Sequence, residues 1–65
     1  MSNADFDALT RIKMEYGEMP GLKLTALQVR RLCDLPPEEC ERALAVLLDI
    51  AFLARSRDGA FILRA

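Results

Sequence analysis

Leu24-Thr25-Ala26-Leu27-Gln28-Val29-Arg30-Arg31-Leu32-Cys33-Asp34-Leu35-Pro36-Pro37-Glu38-Glu39-Cys40 is the stretch on which the fold turns. Thr25 is a natural N-cap, because a hydroxyl there accepts from a backbone N–H that the first helical turn leaves without a partner. From Ala26 to Cys33, Leu27, Val29 and Leu32 supply the inward side of a short helix, and Gln28, Arg30 and Arg31 are left for solvent. Asp34-Leu35-Pro36 interrupts it. A further helix starts near Pro37, since proline suits the first helical turn and Glu38, Glu39 and Glu41 face the positive end of the helix dipole. Its inward row reads Cys40, Leu44, Leu47, Ala51. The stretch is two short helices meeting at a tight turn.

On the N-terminal side, Phe6, Leu9, Ile12 or Lys13, Tyr16 and Met19 recur every three to four residues and mark the apolar face of a first helix over about Asp5 to Glu18. Asn3 or Asp5 can cap it, and Pro20-Gly21 stops it. Leu22-Lys23-Leu24 alternates over three positions, too short to stand alone but suited to a strand that joins a sheet formed elsewhere. On the C-terminal side, Phe52 to Ser56 and Ala60 to Arg64 are separated by Arg57-Asp58-Gly59, and Asp-Gly between β-forming residues signals a hairpin. The expected order is α-β-α-α-β-β in an α+β fold, three helices with a small antiparallel sheet.

Two helices joined by a tight turn and followed by a hairpin resemble the winged helix-turn-helix superfamily. Leu24 to Leu35 looks like the first helix and turn of that motif, Cys40, Leu44 and Leu47 match inward positions of its next helix, and Ala51-Phe52-Leu53 leading to Arg55-Ser56-Arg57-Asp58-Gly59 is similar to the start of a wing. Glu18-Met19-Pro20-Gly21-Leu22 is similar to small bacterial winged-helix proteins with no assigned activity. The resemblance implies a three-helix winged helix-turn-helix over nearly the whole chain. It also implies left-handed backbone at Asp34 and Ala51, where many members of the superfamily carry glycine.

Length and composition bound the rest. Sixty-five residues suffice for one small domain, and a hydrophobic fraction of 52% with 29% charged residues excludes a disordered chain. Nine Lys and Arg against ten Asp and Glu leave a net charge of -1, so a basic footprint for nucleic acid has to be local. The longest apolar run, Ala43 to Ile50 with Asp49 inside it, falls far short of the roughly 20 residues that cross a bilayer. Met1-Ser2-Asn3-Ala4-Asp5 has neither the basic nor the apolar region of a secretion signal, and the expected address is the cytoplasm. Cys33 and Cys40 are spaced for neither a redox pair nor a zinc knuckle, and read as two small buried thiols. With no histidine, no phosphate-cradling glycine loop and no carboxylate pair assignable to a pocket, no catalytic residue, metal, cofactor or small-molecule substrate is expected.

The resemblance implies that the third helix enters a DNA major groove. Its charges oppose this. From Asp34 to Asp49 there are five acids, Asp34, Glu38, Glu39, Glu41 and Asp49, against Arg42 alone, a local charge of -4 where phosphates have to be neutralised. Acids stabilising a helix N-terminus are the plainer reading of Glu38, Glu39 and Glu41. Candidate nucleic-acid contacts lie elsewhere: Lys23, Arg30 and Arg31 before the turn, and Arg55, Arg57 and Arg64 in the hairpin. Scattered solubilising arginines are their bland alternative. A third surface is apolar. The run Ala43 to Leu48 is greasy on more than one face, and Ile62 is expected opposite Phe61 and Leu63, which makes Val46, Leu48 and Ile62 candidate protein-interface residues unless the third helix simply carries a broad core-facing stripe. Two readings therefore stand: a DNA-binding or transcription-related module led by its wing and second helix, and a module that docks on protein or on a second copy of itself.

Overall fold

Thr25 does what its position in the sequence asks. Its side-chain oxygen accepts from the Gln28 backbone N–H at 3.2 Å, while its own N–H donates to Gln28 Oε1 at 2.8 Å, a reciprocal cap that starts a helix over Ala26–Cys33. In this computed structural model, which describes residues 3–64, the elements are α1 (Asn3–Glu18), β1 (Lys23–Leu24), α2 (Ala26–Cys33), α3 (Pro37–Asp49), β2 (Leu53–Arg55) and β3 (Phe61–Leu63). Met1 and Ser2, on which the expected lack of a secretion signal partly rests, lie outside the described residues. The order is the expected α-β-α-α-β-β. β1 joins the hairpin to make a three-stranded antiparallel sheet, β1-β3-β2, as expected of a strand too short to stand alone.

Both helices of the central stretch end in left-handed backbone at non-glycine residues. Asp34 has φ 54, with the Leu35 N–H returning to the Arg30 carbonyl at 3.0 Å. Ala51 has φ 62, with its N–H on the Leu48 carbonyl at 3.1 Å and the Phe52 N–H on the Leu47 carbonyl at 3.0 Å. The second arrangement is a Schellman closure, in which a residue just past the helix turns left-handed so that the last carbonyls find donors. The start of α3 has no side-chain cap; Pro37 and the acids Glu38 and Glu39 occupy its first turn.

The sheet register sorts side chains onto two faces. Leu24, Phe61 and Arg55 lie opposite one another, as do Leu53 and Leu63 on the same face; Lys23, Ile62 and Ala54 share the other. The first face covers the core, built from Ala8, Ile12 and Tyr16 of α1, Val29 and Cys33 of α2, Cys40, Ala43, Leu44 and Leu47 of α3, and Leu53 and Phe61 of the sheet. Tyr16 joins α1 to β3 by donating its hydroxyl to the Phe61 carbonyl at 2.8 Å.

Several inward assignments need correcting. In α1, Ile12 and Tyr16 are buried, but Phe6 and Met19 are exposed and Ala8 takes a core place instead; the helix also begins at Asn3, so Asp5 lies inside its first turn and is not a cap. In α2, Val29 and Cys33 face inward while Leu27 and Leu32 are about half exposed, and Arg30 is half-buried. The α3 row of Cys40, Leu44 and Leu47 is buried, but Ala51 lies past the helix end and is exposed, because the left-handed turn carries it away from the core.

Candidate functional site

The exposed stripe of α3 follows helical spacing: Glu38, Glu41, Ala45 and Asp49 are all exposed. Arg42, the only cation of the helix, leans toward α1, where its Nε donates to Asp5 Oδ1 at 2.9 Å. Among the described residues Glu38, Glu39 and Glu41 form no ion pair; the ion pairs are Arg42–Asp5 and Lys23–Asp58. The leading end of α3 is thus anionic on the surface it presents.

The basic candidates divide by what holds them. Lys23 Nζ is 3.1 Å from Asp58 Oδ2, which ties the hairpin tip to β1. Asp58 also accepts from the Ser56 hydroxyl; that hydrogen bond first, and Lys23 next, hold its carboxyl down at about 2, below the ordinary 3.8. Gly59, with φ 86, gives the tip its left-handed turn, and the backbone pair from Ser56 N–H to the Ala60 carbonyl at 2.8 Å closes it. The Arg55 guanidinium lies over the Phe61 ring, 5.0 Å from its centre, on the core-side face of the sheet. Arg30 is half-buried beside Cys40, whose thiol burial pushes up, against the lowering influence of that guanidinium. Arg31, Arg57 and Arg64 are exposed and form no ion pair among the described residues. Of the six candidates, Lys23 and Arg55 are thus held by another side chain and Arg30 is half-buried, which leaves Arg31, Arg57 and Arg64 as the exposed ones without an ion pair among the described residues.

The apolar candidates divide as well. Leu48 packs against the core, so its place in the α3 run is the core-facing one. Ile62 is half-buried on the outer face of the sheet between Lys23 and Ala54. Val46 lines a shallow apolar groove of about 420 Å³ between α1 and α3, together with Leu9, Ala43 and Ala45. The larger exposed apolar side chains, Phe6, Met14, Met19, Leu27, Leu32 and Ile50, were not among the sequence candidates for an interface.

A second groove, of about 430 Å³, runs between α1 and the turn that joins α2 to α3. It is lined by Asp7, Arg11 and Met14 of α1, by Asp34 and Leu35 of the turn, and by Glu39 of α3. Arg11 Nη1 donates to the Cys33 carbonyl at 2.6 Å, locking α1 to the negative end of α2. Sequence reasoning missed these residues, although Asp7, Arg11 and Met14 recur every three to four positions on the polar side of α1. Cys33 and Cys40 are buried free thiols; burial raises both above the ordinary 9.0, with Glu15 adding to the rise at Cys33. Such thiols are poor nucleophiles.

Among the described residues no group of three or more acidic or cysteine side chains is placed to hold a metal ion, and no helix is long and apolar enough to cross a membrane. Comparison with family models, curated proteins and solved structures gives no match.

Proposed function

We propose that this chain is a winged-helix binding module, without catalytic chemistry of its own, that docks on protein. The observation that carries this reading is the ion-pair-free set of exposed Glu38 and Glu41 and half-buried Glu39 at the start of α3, with the one cation of the helix turned aside to Asp5. A winged helix that reads DNA sets this helix into the major groove, where its charges meet phosphates. Here both helix and phosphate are negative. Lys23 and Arg55 add little toward a compensating basic surface, being held by Asp58 and by the Phe61 ring. Large apolar side chains that stay exposed on so small a domain, Phe6 and Ile50 among them, supply the kind of area a protein partner covers.

A second reading is favoured by Arg31, Arg57 and Arg64. Exposed and free of ion pairs, they suit a DNA or transcription-related contact led by the wing tip and α2, with weak sequence preference.

Salt separates the two. Titrating the protein with labelled random-sequence duplex DNA at low ionic strength is expected to show no saturable binding up to about 10⁻⁴ M, the weak end of ordinary non-specific affinity. Binding that falls steeply with salt and disappears in the Arg31→Ala, Arg57→Ala double variant would establish the DNA reading and remove the protein-docking one.

A further inference from the structure

We propose that the groove between α1 and the α2–α3 turn receives a cationic segment of a partner protein that also carries apolar side chains; this names the partner chemistry for the protein-docking reading and rests on it. Charge complementarity is the first argument. Three carboxylates, Asp7, Asp34 and Glu39, line the groove against the single guanidinium of Arg11. That guanidinium already serves the Cys33 carbonyl at 2.6 Å, at the end of α2 where the helix dipole is negative. None of the three carboxylates forms an ion pair among the described residues, so their field is open to a partner's Lys or Arg.

The second argument is the apolar part of the same groove. Met14 stands 58% exposed beside the half-buried Leu35, giving a deformable hydrophobic strip within reach of the acids. A metal ion would need the acids grouped, and among the described residues they are not. An extended surface that is acidic at its rims and apolar along its strip fits a chain alternating basic and apolar side chains. Asp34 also occupies a left-handed backbone that glycine would adopt without strain, and glycine would bring no carboxylate to the rim.

The test uses a fluorescent peptide alternating Lys and Leu, and a matched peptide alternating Glu and Leu, read by anisotropy at low ionic strength. The intact chain is expected to bind the first and ignore the second. The triple variant Asp7→Asn, Asp34→Asn, Glu39→Gln keeps side-chain size, and Asn tolerates left-handed backbone. It is expected to weaken binding about tenfold, the sum of three exposed ion pairs. The control variant Glu38→Gln, Glu41→Gln, which removes the neighbouring acids of the α3 stripe, is expected to change binding less than about twofold. Equal affinity for both peptides, an unchanged triple variant, or an equal loss in the control each overturns the groove. If the intact chain binds neither peptide and no DNA, the groove fails while docking on protein stands; if it binds DNA with steep salt dependence and neither peptide, both fail.

Discussion

Tyr16 has no exposed surface, yet it carries a hydroxyl that the interior must satisfy, and it does so by donating to the Phe61 carbonyl at 2.8 Å. Burial pushes its phenol up to about 12 from 10.0, with the neighbouring Cys33 adding to the rise. The sign follows from linkage. A folded-state value above the unfolded one means the contribution is whole below pH 10.0 and is lost as the pH climbs toward 12. Stability is therefore expected to fall by up to about 1.4 kcal/mol per pH unit across that window. Tyr16→Phe is expected to cost about 1 kcal/mol at neutral pH through the lost hydrogen bond, and to flatten the alkaline decline. Urea unfolding of both proteins at neutral and alkaline pH checks this; parallel declines would show that another group titrates instead. Tyr16 was readable from sequence as an inward residue, because its spacing from Ile12 is helical. Its partner was not, since the hydroxyl crosses from α1 to a strand forty-five residues on.

The helix ends carry a cost that the middles do not. A left-handed residue with a Cβ is strained by roughly 1–2 kcal/mol, less for Asp, whose short polar side chain tolerates that region. Ala51, at φ 62, has no such relief. Ala51→Gly is expected to stabilise the protein by about 1 kcal/mol, and Asp34→Gly by less than half of that. The readout is the urea midpoint at unchanged slope; a neutral or destabilising Ala51→Gly would mean that the Schellman closure is not the conformation held in solution. Element boundaries were legible because strong punctuation sits at each of them: Pro20-Gly21, Thr25, Asp34-Leu35-Pro36 and Asp58-Gly59. Helix faces were less so. Leu27 and Leu32 are five residues apart and cannot both share the face that Val29 and Cys33, four apart, turn inward. Phe6 and Met19 stand near or past the ends of a sixteen-residue helix about 24 Å long, in a molecule 29 Å across its longest axis, so they overhang the core. The acids at the start of α3 were readable because Glu38, Glu39 and Glu41 fall within four residues of one another in sequence. The loss of Lys23 and Arg55 as open cations was not, because Asp58 and Phe61 meet them only through the sheet.

For the molecule as a whole, 65 residues imply a stability of roughly 3–10 kcal/mol, so a single core position commands a large share of it. The core is small: eleven side chains from five elements, with no buried side-chain nitrogen or oxygen among the described residues left without a partner. Leu47 sits among them with no exposed surface, between α3 and the sheet. Removing its branched end leaves a cavity with few neighbours able to close in, and the expected cost of Leu47→Ala is about 3–5 kcal/mol. Leu27 offers the contrast. By composition and helical position it is an equally apolar residue, but at 47% exposure its loss should change stability by no more than about 0.5 kcal/mol. In a domain of this size a change of 1 kcal/mol moves Tm by roughly 4–8 °C, so Leu47→Ala is expected to be largely unfolded near body temperature while Leu27→Ala melts within a few degrees of the parent. Thermal melts followed by circular dichroism decide between this packing and the one the sequence alone suggests: comparable losses from the two substitutions would place Leu27 inside, rotate α2 about its axis, and move Arg30 and Arg31 to a different surface.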